Sequence, residues 1–195
     1  MRDHLVPSLR ADGFGGSGRT FRRVRHGWVH VVSVQGSRHG GQFAINLGLQ
    51  PLSVFHVLGE LPDPKKITEP LCEFRRRLSR DDADQWWIHE PTIESMNAAV
   101  QAANAIYETA GREMLSHVCR PESPFDLVSP GAFAAGDFDF RGFGSTKVRM
   151  ALVLARLRRA QGRFAESARF AAIGLAGIGT AVALRHELNE LASLQ

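Results

Sequence analysis

The sequence predicts an α+β fold: an antiparallel β-sheet of about four to five strands packed against an N-terminal helix and a long central helix, plus a C-terminal helical extension. Alternating apolar and polar residues between positions 20 and 49 indicate strands. A helical period follows Thr92 and continues to about Val118. Three further helical stretches occupy residues 145–193, so the predicted sheet and the predicted tail differ in class.

The predicted strands lie in the first half of the chain, after a short helix within residues 2–11 that ends before Gly13. β-branched and aromatic residues dominate them, as strands prefer. They are Thr20–Arg25, Trp28–Gln35, Gln42–Leu49 and Leu71–Leu78, and Trp86, Trp87 and Ile88 begin a further short strand or the approach to a helix.

Alternation in the third strand separates an apolar from a more polar face. Its apolar side chains are Phe43, Ile45, Leu47 and Leu49, and those between them are Gln42, Ala44 and Asn46. We therefore expect the first set to face a core and the second to point outward. In the fourth strand, Cys72, Phe74 and Arg76 share the core face, whereas Arg75 and Arg77 face outward.

The helices are predicted from caps and from breaks. Thr92 is an N-cap, and Gly111 weakens or breaks the long helix that follows it. Residues 120–144 are rich in Pro, Gly and Phe and are predicted to be a loop. Helices follow at 145–160, 164–176 and 180–193. We divide the chain into an α+β sheet domain at 1–130, a linker at 131–144 and a helical extension at 145–195, packed on the domain or on a partner.

Composition favours a globular protein without a membrane partner. Of its 195 residues, 44% are hydrophobic, and no apolar run reaches the roughly 20 residues that cross a bilayer. The net charge of +4 is unevenly distributed, at +7 for residues 1–80, −9 for 81–140 and +6 for 141–195. Cys72 and Cys119 lack metal-site spacing and are expected to be buried, reduced thiols. We expect a cytoplasmic protein without a metal or a cofactor.

Recognised catalytic motifs are missing from the sequence. None of its eight histidines forms a metal-ligand spacing such as HExxH, and there is no GxSxG elbow. The glycine-rich run at 13–18 has no lysine of a phosphate-binding loop and is interpreted as a linker.

The segment GFGGSGRTFRR followed by WVHVVSVQGSRHGGQFAINLGL resembles a bacterial family, domain of unknown function 4304. The resemblance covers about residues 2–130 and implies no particular activity. The matching positions are Gly13, Phe14, Arg19, Thr20, Phe21, Gln35, Gly36, Ser37, Phe43, Asn46, Leu47 and Gly48.

The C-terminal segment ALVLARLRRAQGRFAESARFAAIGL resembles a single tetratricopeptide-like helical hairpin. Ala155, Gly162 and Ala168 would allow close packing, and Leu157, Phe164 and Leu175 would fill the seam. A generic helix pair is the better explanation of the pattern than a true repeat. In both interpretations the pair needs a surface against which to bury its apolar face.

Seven residues are candidates for ligand contact: Gln35, Ser37, Arg38, Asn46, Arg75, Arg77 and Trp86. Gln35 and Asn46 offer amide donors and acceptors, and Arg38 can bind a carboxylate or a phosphate. The alternative is that Gln35 and Asn46 bond each other and the turn, and so fix the register. Arg75 and Arg77 either meet an acidic partner or lie on a solvated face, and Trp86 is either an exposed anchor or part of the core.

These observations lead to three hypotheses about function. The first, which we favour, is a non-catalytic protein-binding module that acts as a bacterial immunity or defence accessory protein. The second is an enzyme of unknown class with a polar site at the central hairpin. The third is nucleic-acid binding through the arginine clusters at 22–25 and 75–77, for which basic residues are necessary but not sufficient.

Overall fold

A computed structural model describes residues 3–81 and 84–193 and confirms the predicted α+β fold. The strands are β1 Gly15–Ser17, β2 Thr20–Arg25, β3 Trp28–Gly36, β4 Gln42–Pro51, β5 Phe74–Arg77 and β6 Trp87–Ile88. Within the described residues, these six strands form one antiparallel sheet with the order β1-β2-β3-β4-β5, and β6 pairs with the β4 edge that also carries β5. Of these, β1 was not predicted.

The long central helix begins at the predicted cap and contains a wider turn. Thr92 Oγ1 accepts a hydrogen bond from the Ser95 amide at 3.2 Å. The helix comprises α2 at Ile93–Ile106, a π-helical turn at Tyr107–Gly111 and α3 at Arg112–Val118, and the N-terminal helix α1 is Leu5–Ala11. A Cβ on Gly111 would lie 3.0 Å from Leu78 Cδ1, so the glycine lets the helix approach the end of β5.

The predicted loop at 120–144 contains two short helices, α4 at Pro124–Leu127 and α5 at Pro130–Ala135. Each begins with a proline that follows a capping serine, which is a favourable way to start a helix. Phe125, Phe133 and Phe140 are buried in the main core, so this segment packs against the rest of the chain. The division at 131–144 into separate units stays a prediction.

The C-terminal helices are α6 at Lys147–Ala160, α7 at Phe164–Ala176 and α8 at Arg185–Ser193. The expected place of Phe164 in the α6–α7 seam is wrong, because its side chain is 51% exposed at the start of α7. The buried Ser167 occupies that seam instead and donates a hydrogen bond to the Ala155 carbonyl at 2.8 Å. No described helix is both long and apolar enough to cross a membrane.

Both faces of the sheet are covered. The face that carries Phe43, Ile45 and Leu47 packs into the main core, as predicted. The other face bears a smaller cluster of Val29, Val31, Ile67 and Cys72, covered by the segment between β4 and β5. Two expectations are therefore wrong: Ala44 is fully buried although it lies on the face opposite Phe43 and Ile45, and Cys72 precedes β5 and belongs to the smaller cluster.

Candidate functional site

Three of the predicted candidates meet on adjacent strands. Asn46 on β4 donates a hydrogen bond from Nδ2 to Gln35 Oε1 on β3, at 2.8 Å. Arg77 on β5 donates from Nε to Asn46 Oδ1 at 3.3 Å and from Nη2 to Gln35 Oε1 at 3.4 Å. The hydrogen bond between Gln35 and Asn46 that the sequence suggested is therefore present, and an arginine extends it to a third strand.

Trp86 and a residue that the sequence analysis missed complete this polar cluster. Arg77 Nη1 pairs with the Asp84 carboxylate, and Trp86 Nε1 donates to Asp84 Oδ2 at 3.2 Å. The Arg77 guanidinium also lies 4.6 Å from the centroid of the Trp86 ring. Arg77 and Trp86 thus both contact the Asp84 carboxylate. The cluster connects the segment before β6 to the sheet.

The remaining candidates lie outside the polar cluster. Ser37 Oγ accepts a hydrogen bond from the His39 amide at 3.2 Å, and Arg38 is exposed in the same turn. Arg75 lies 3.9 Å from the Glu69 carboxylate and pairs through its backbone with Gly144. The structure therefore separates the seven candidates into a cluster, a turn and an edge residue.

The arginines at 22–25 do not form one continuous basic surface. Arg22 donates to the Ile67 carbonyl and, at 3.1 Å, to the Lys66 carbonyl. Arg23 points to the opposite face, where its guanidinium lies 4.5 Å from the centroid of the Phe14 ring. Since both guanidiniums have internal partners, they are less available to a phosphate backbone than the sequence suggested.

A half-buried polar network joins α1 to the π-helical turn. Asp12 Oδ2 accepts hydrogen bonds from the Tyr107 hydroxyl at 2.7 Å and from Arg112 Nε at 2.8 Å. Burial by itself would raise the pKa of Asp12, but these two hydrogen bonds and the charges of Arg112 and Arg23 together outweigh it and hold the pKa below its ordinary value. Burial and the neighbouring Asp12 raise the pKa of Tyr107. No sequence pattern indicates this network, because Asp12 and Tyr107 are 95 positions apart.

His30 adds a neutral ring to the same region. Arg23 Nε donates to His30 Nδ1 at 3.0 Å, and Arg23 Nη1 donates to the Asp12 carbonyl at 2.8 Å. The ring proton therefore resides on His30 Nε2, which is buried without a hydrogen-bond partner among the described residues. Burial, reinforced by the Arg23 charge, lowers the pKa of His30 to about 3.

A groove of about 700 Å³ was missed by the sequence analysis. It lies between the segment that follows β4 and the helices α6 and α8. We call it the groove, defined by Val54, Phe55, Arg156, Arg159, Glu187 and Leu191. Arg156 is held in its wall by Glu187, with nitrogen–oxygen distances of 2.5 and 2.6 Å.

A tight turn at 56–60 stands beside the groove. The His56 amide donates to the Glu60 carbonyl at 2.9 Å, and the Gly59 amide donates to the His56 carbonyl at 2.9 Å. The Leu58 amide donates to His56 Nδ1 at 3.1 Å, and the His56 side chain is buried. Leu58 at the tip is 71% exposed, so this apolar side chain is presented to solvent by an ordered turn.

A second cavity of about 290 Å³ lies at the other end of β4. We call it the cleft, defined by Arg19, Val34, Gly36, Ser37, Phe43 and His89. Ser37 is the only one of the seven predicted candidates that lines it. Within residues 3–81 and 84–193, no group of three or more His, Cys, Asp or Glu side chains is placed to hold a metal ion.

Comparison with known proteins identifies the family. Residues 5–117 match the family described as Domain of unknown function (DUF4304), and the chain belongs to that family. The match covers the sheet and the central helix as far as the end of α3. Neither the curated proteins nor the solved structures provide a significant match.

Proposed function

We propose that this protein is a non-catalytic protein-binding module whose main recognition surface is the groove. The observation that carries the proposal is the exposed, ordered turn at 56–60. An exposed leucine on a flexible loop loses conformational freedom when it binds, whereas Leu58 already has a fixed backbone. Such a preorganised apolar side chain is a favourable anchor for a partner protein.

The apolar surface extends from the turn into the groove. Phe55 is 46% exposed and lines the groove together with Val54 and Leu191. Leu61, just beyond the turn, is 61% exposed. A partner segment that covers Leu58 and inserts an apolar side chain beside Phe55 would remove these surfaces from water, which is the main driving force of association.

The charges of the groove indicate what else the partner carries. Glu187 pairs with Arg156, and Glu190 lies 3.3 Å from His186 Nε2. Arg159 is exposed and has no side-chain hydrogen bond or ion pair among the described residues. The partner that fits is therefore an apolar protein segment with an acidic side chain opposite Arg159.

The proposal also includes a biological setting. We propose a bacterial, cytoplasmic protein that serves as an immunity or defence accessory factor. The two buried, unpaired thiols of Cys72 and Cys119 support a reducing compartment.

Site-specific photo-cross-linking in the native host tests the proposal. A benzophenone amino acid replaces Leu58, and the matched control carries it at Leu127, which is 60% exposed on α4. We expect a discrete cross-linked protein from position 58 and none from position 127. Equal cross-linking from both positions contradicts the groove as the recognition surface.

The cross-linked protein is then identified, purified and titrated by calorimetry. Because full burial of a leucine is worth about 1.5–3 kcal/mol, we expect Leu58→Ser to raise Kd by about tenfold or more. Leu127→Ser should leave Kd unchanged, and Arg159→Glu should weaken binding in a salt-dependent way. Unchanged affinity of Leu58→Ser overturns the proposal, as does salt-dependent retention on DNA in place of any protein partner.

A further inference from the structure

We propose that the cleft is a second binding site, for a small organic monocarboxylate with an apolar body. The site is independent of the groove, because the cleft lies where β4 begins at Gln42, whereas the groove follows the end of β4 at Pro51. Its chemistry combines the Arg19 guanidinium, which has no partner in the part of the chain that the structure describes, with a hydroxyl and an apolar floor.

Two glycine-rich turns form the rim of the cleft. Gly18, between β1 and β2, has φ +65°, and Gly40, between β3 and β4, has φ +73°. A Cβ at either position would meet nothing within 4 Å, so no neighbouring group of the described chain crowds either turn. At Gly36 a Cβ would lie 3.5 Å from Arg19 Nη1, which places the guanidinium against the end of β3.

Arg19 supplies the charge. It is exposed, and its guanidinium has no hydrogen-bond or ion-pair partner among the described residues. Arg22, Arg23 and Arg77 on the same sheet each have internal partners, so Arg19 differs from them. A single guanidinium balances the charge of a carboxylate monoanion but leaves one charge of a phosphate dianion uncompensated, so the carboxylate is the better match.

Two polar side chains complete the rim. Ser37 Oγ accepts the hydrogen bond from the His39 amide, so its own proton is free to be donated to a ligand oxygen. His89 Nδ1 lies 3.0 Å from the Glu90 carbonyl oxygen, which can only accept, so Nδ1 carries the proton. His89 lines the cleft, and in the neutral ring its Nε2 is then an acceptor for a ligand hydroxyl or amide rather than a donor to the carboxylate.

The floor is apolar. Val34 and Phe43 are largely buried side chains of β3 and β4, and Met96 of α2 borders them. Phe43 is fixed by stacking on Trp87 at 5.7 Å between ring centroids. A cavity of about 290 Å³ is at the lower limit of ligand pockets, which begin at about 300 Å³. The ligand that fits is therefore a small acid with an aromatic or branched aliphatic body.

Titration of the whole ¹⁵N-labelled protein with phenylacetate, followed by amide NMR, tests the site. We expect saturable shifts of the Gly18, Gly36, Gly40 and Gly41 amides. Acetate lacks the apolar body and benzyl alcohol lacks the charge, so each should bind at least about tenfold more weakly. Acetate binding as tightly as phenylacetate would show a non-specific charge effect and overturn the proposal.

Two arginine variants provide matched controls. Arg19→Gln should raise Kd for phenylacetate by about tenfold, because it removes a charge-assisted hydrogen bond. Arg38→Gln removes the same charge from an exposed position of the neighbouring turn and should change Kd less than about twofold. Equal effects of the two variants, or no shifts of the glycine amides, refute the site. The Leu58→Ser variant should bind phenylacetate normally, so failure of the groove proposal is distinguishable from failure of this one.

Discussion

Arg149 on α6 donates two hydrogen bonds to the carboxylate of Glu73, from Nε at 2.8 Å and from Nη2 at 3.2 Å. Glu73 is 2% exposed and immediately precedes β5, so this bidentate pair connects the sheet to the C-terminal helices. Arg156 Nη1 approaches the same carboxylate at 3.5 Å, and the Arg156 guanidinium also pairs with Glu187 on α8. One buried carboxylate therefore connects three parts of the fold.

Glu73→Gln should destabilise the protein. The substitution removes the negative charge that compensates two arginines, and the loss of one partner of a buried pair costs about 3 kcal/mol. Urea denaturation followed by circular dichroism measures the change in the free energy of unfolding. Glu60→Gln, at an exposed glutamate, is the control and should stay within about 0.5 kcal/mol of the wild type. Similar midpoints for the two variants would contradict a stabilising role of the pair.

Gly48→Ala should destabilise the sheet through a steric clash. A Cβ at this position of β4 would lie 2.8 Å from Cys72 Sγ and 3.2 Å from Glu69 Cγ. Overpacking of this kind costs about 1–3 kcal/mol, measurable as a lower urea midpoint. Gly131→Ala in α5 is the contrast, because its Cβ would meet only Ser129 Oγ at 3.9 Å. Adding Cys72→Ala to Gly48→Ala should recover part of the lost stability, because it removes the sulfur that the new Cβ meets. If the changes in unfolding free energy of the two single variants simply add in the double variant, the clash is ruled out.

The buried His30 should make the protein less stable in mild acid. Its pKa is about 3 in the folded chain and about 6.5 when unfolded, so the unfolded state alone takes up a proton as the pH falls below about 6.5. Within this window, which ends near pH 3, the group removes about 1.4 kcal/mol of stability per pH unit.

Urea denaturation at pH 7, 6 and 5 measures this effect. The wild type should lose stability more steeply than His30→Gln, and the exposed-turn control His39→Gln should follow the wild type. NMR of the imidazole protons should show His30 unprotonated at pH 5. A His30 ring that titrates near pH 6.5 would contradict the prediction.

Arg77→Ala should loosen the polar cluster without unfolding the protein. The variant loses the contact with the Trp86 ring and an ion pair with Asp84, whose side chain is 73% exposed, for a combined cost of about 1–2 kcal/mol. Trp86 should become more accessible to acrylamide, because the guanidinium that covers its ring is gone. Trp28 and Trp87 are buried, so a change in fluorescence quenching reports on Trp86. Arg75→Ala, which removes the 3.9 Å contact with Glu69 and no described contact of the polar cluster, should leave the quenching unchanged. A quenching response equal in both variants would contradict the proposed cluster.

The central strands could be predicted to within two residues, because their β-branched residues alternate and their turns are rich in glycine. Strand β1 could not, since Gly15 and Gly16 have little strand propensity and form a strand only by pairing with β2. Helices α4 and α5 could have been found from the pairs Ser123-Pro124 and Ser129-Pro130. The surrounding prolines and glycines favoured the loop instead.

One part of the candidate site lies within a single hairpin and could be predicted, whereas the groove is built from segments that are distant in the sequence. The hydrogen bond between Gln35 and Asn46 follows from one hairpin register, in which Ser33 pairs with Asn46 and Gln35 with Ala44. The groove joins residues 53–59 to residues 156–191, and no pattern in either segment indicates the other. Cavities built from distant segments depend on tertiary packing, which periodicity does not encode.

The two thiols lie in different hydrophobic clusters, Cys72 in the segment between β4 and β5 and Cys119 at the C-terminal end of the central helix. Burial raises the pKa of both, that of Cys119 to about 12, so neither reacts quickly in the folded chain. The alkylation rate of each thiol therefore reports how often its own side of the sheet opens. The thiol that is alkylated faster in native buffer would identify the layer that opens more readily. The measurement needs no substitution in the chain.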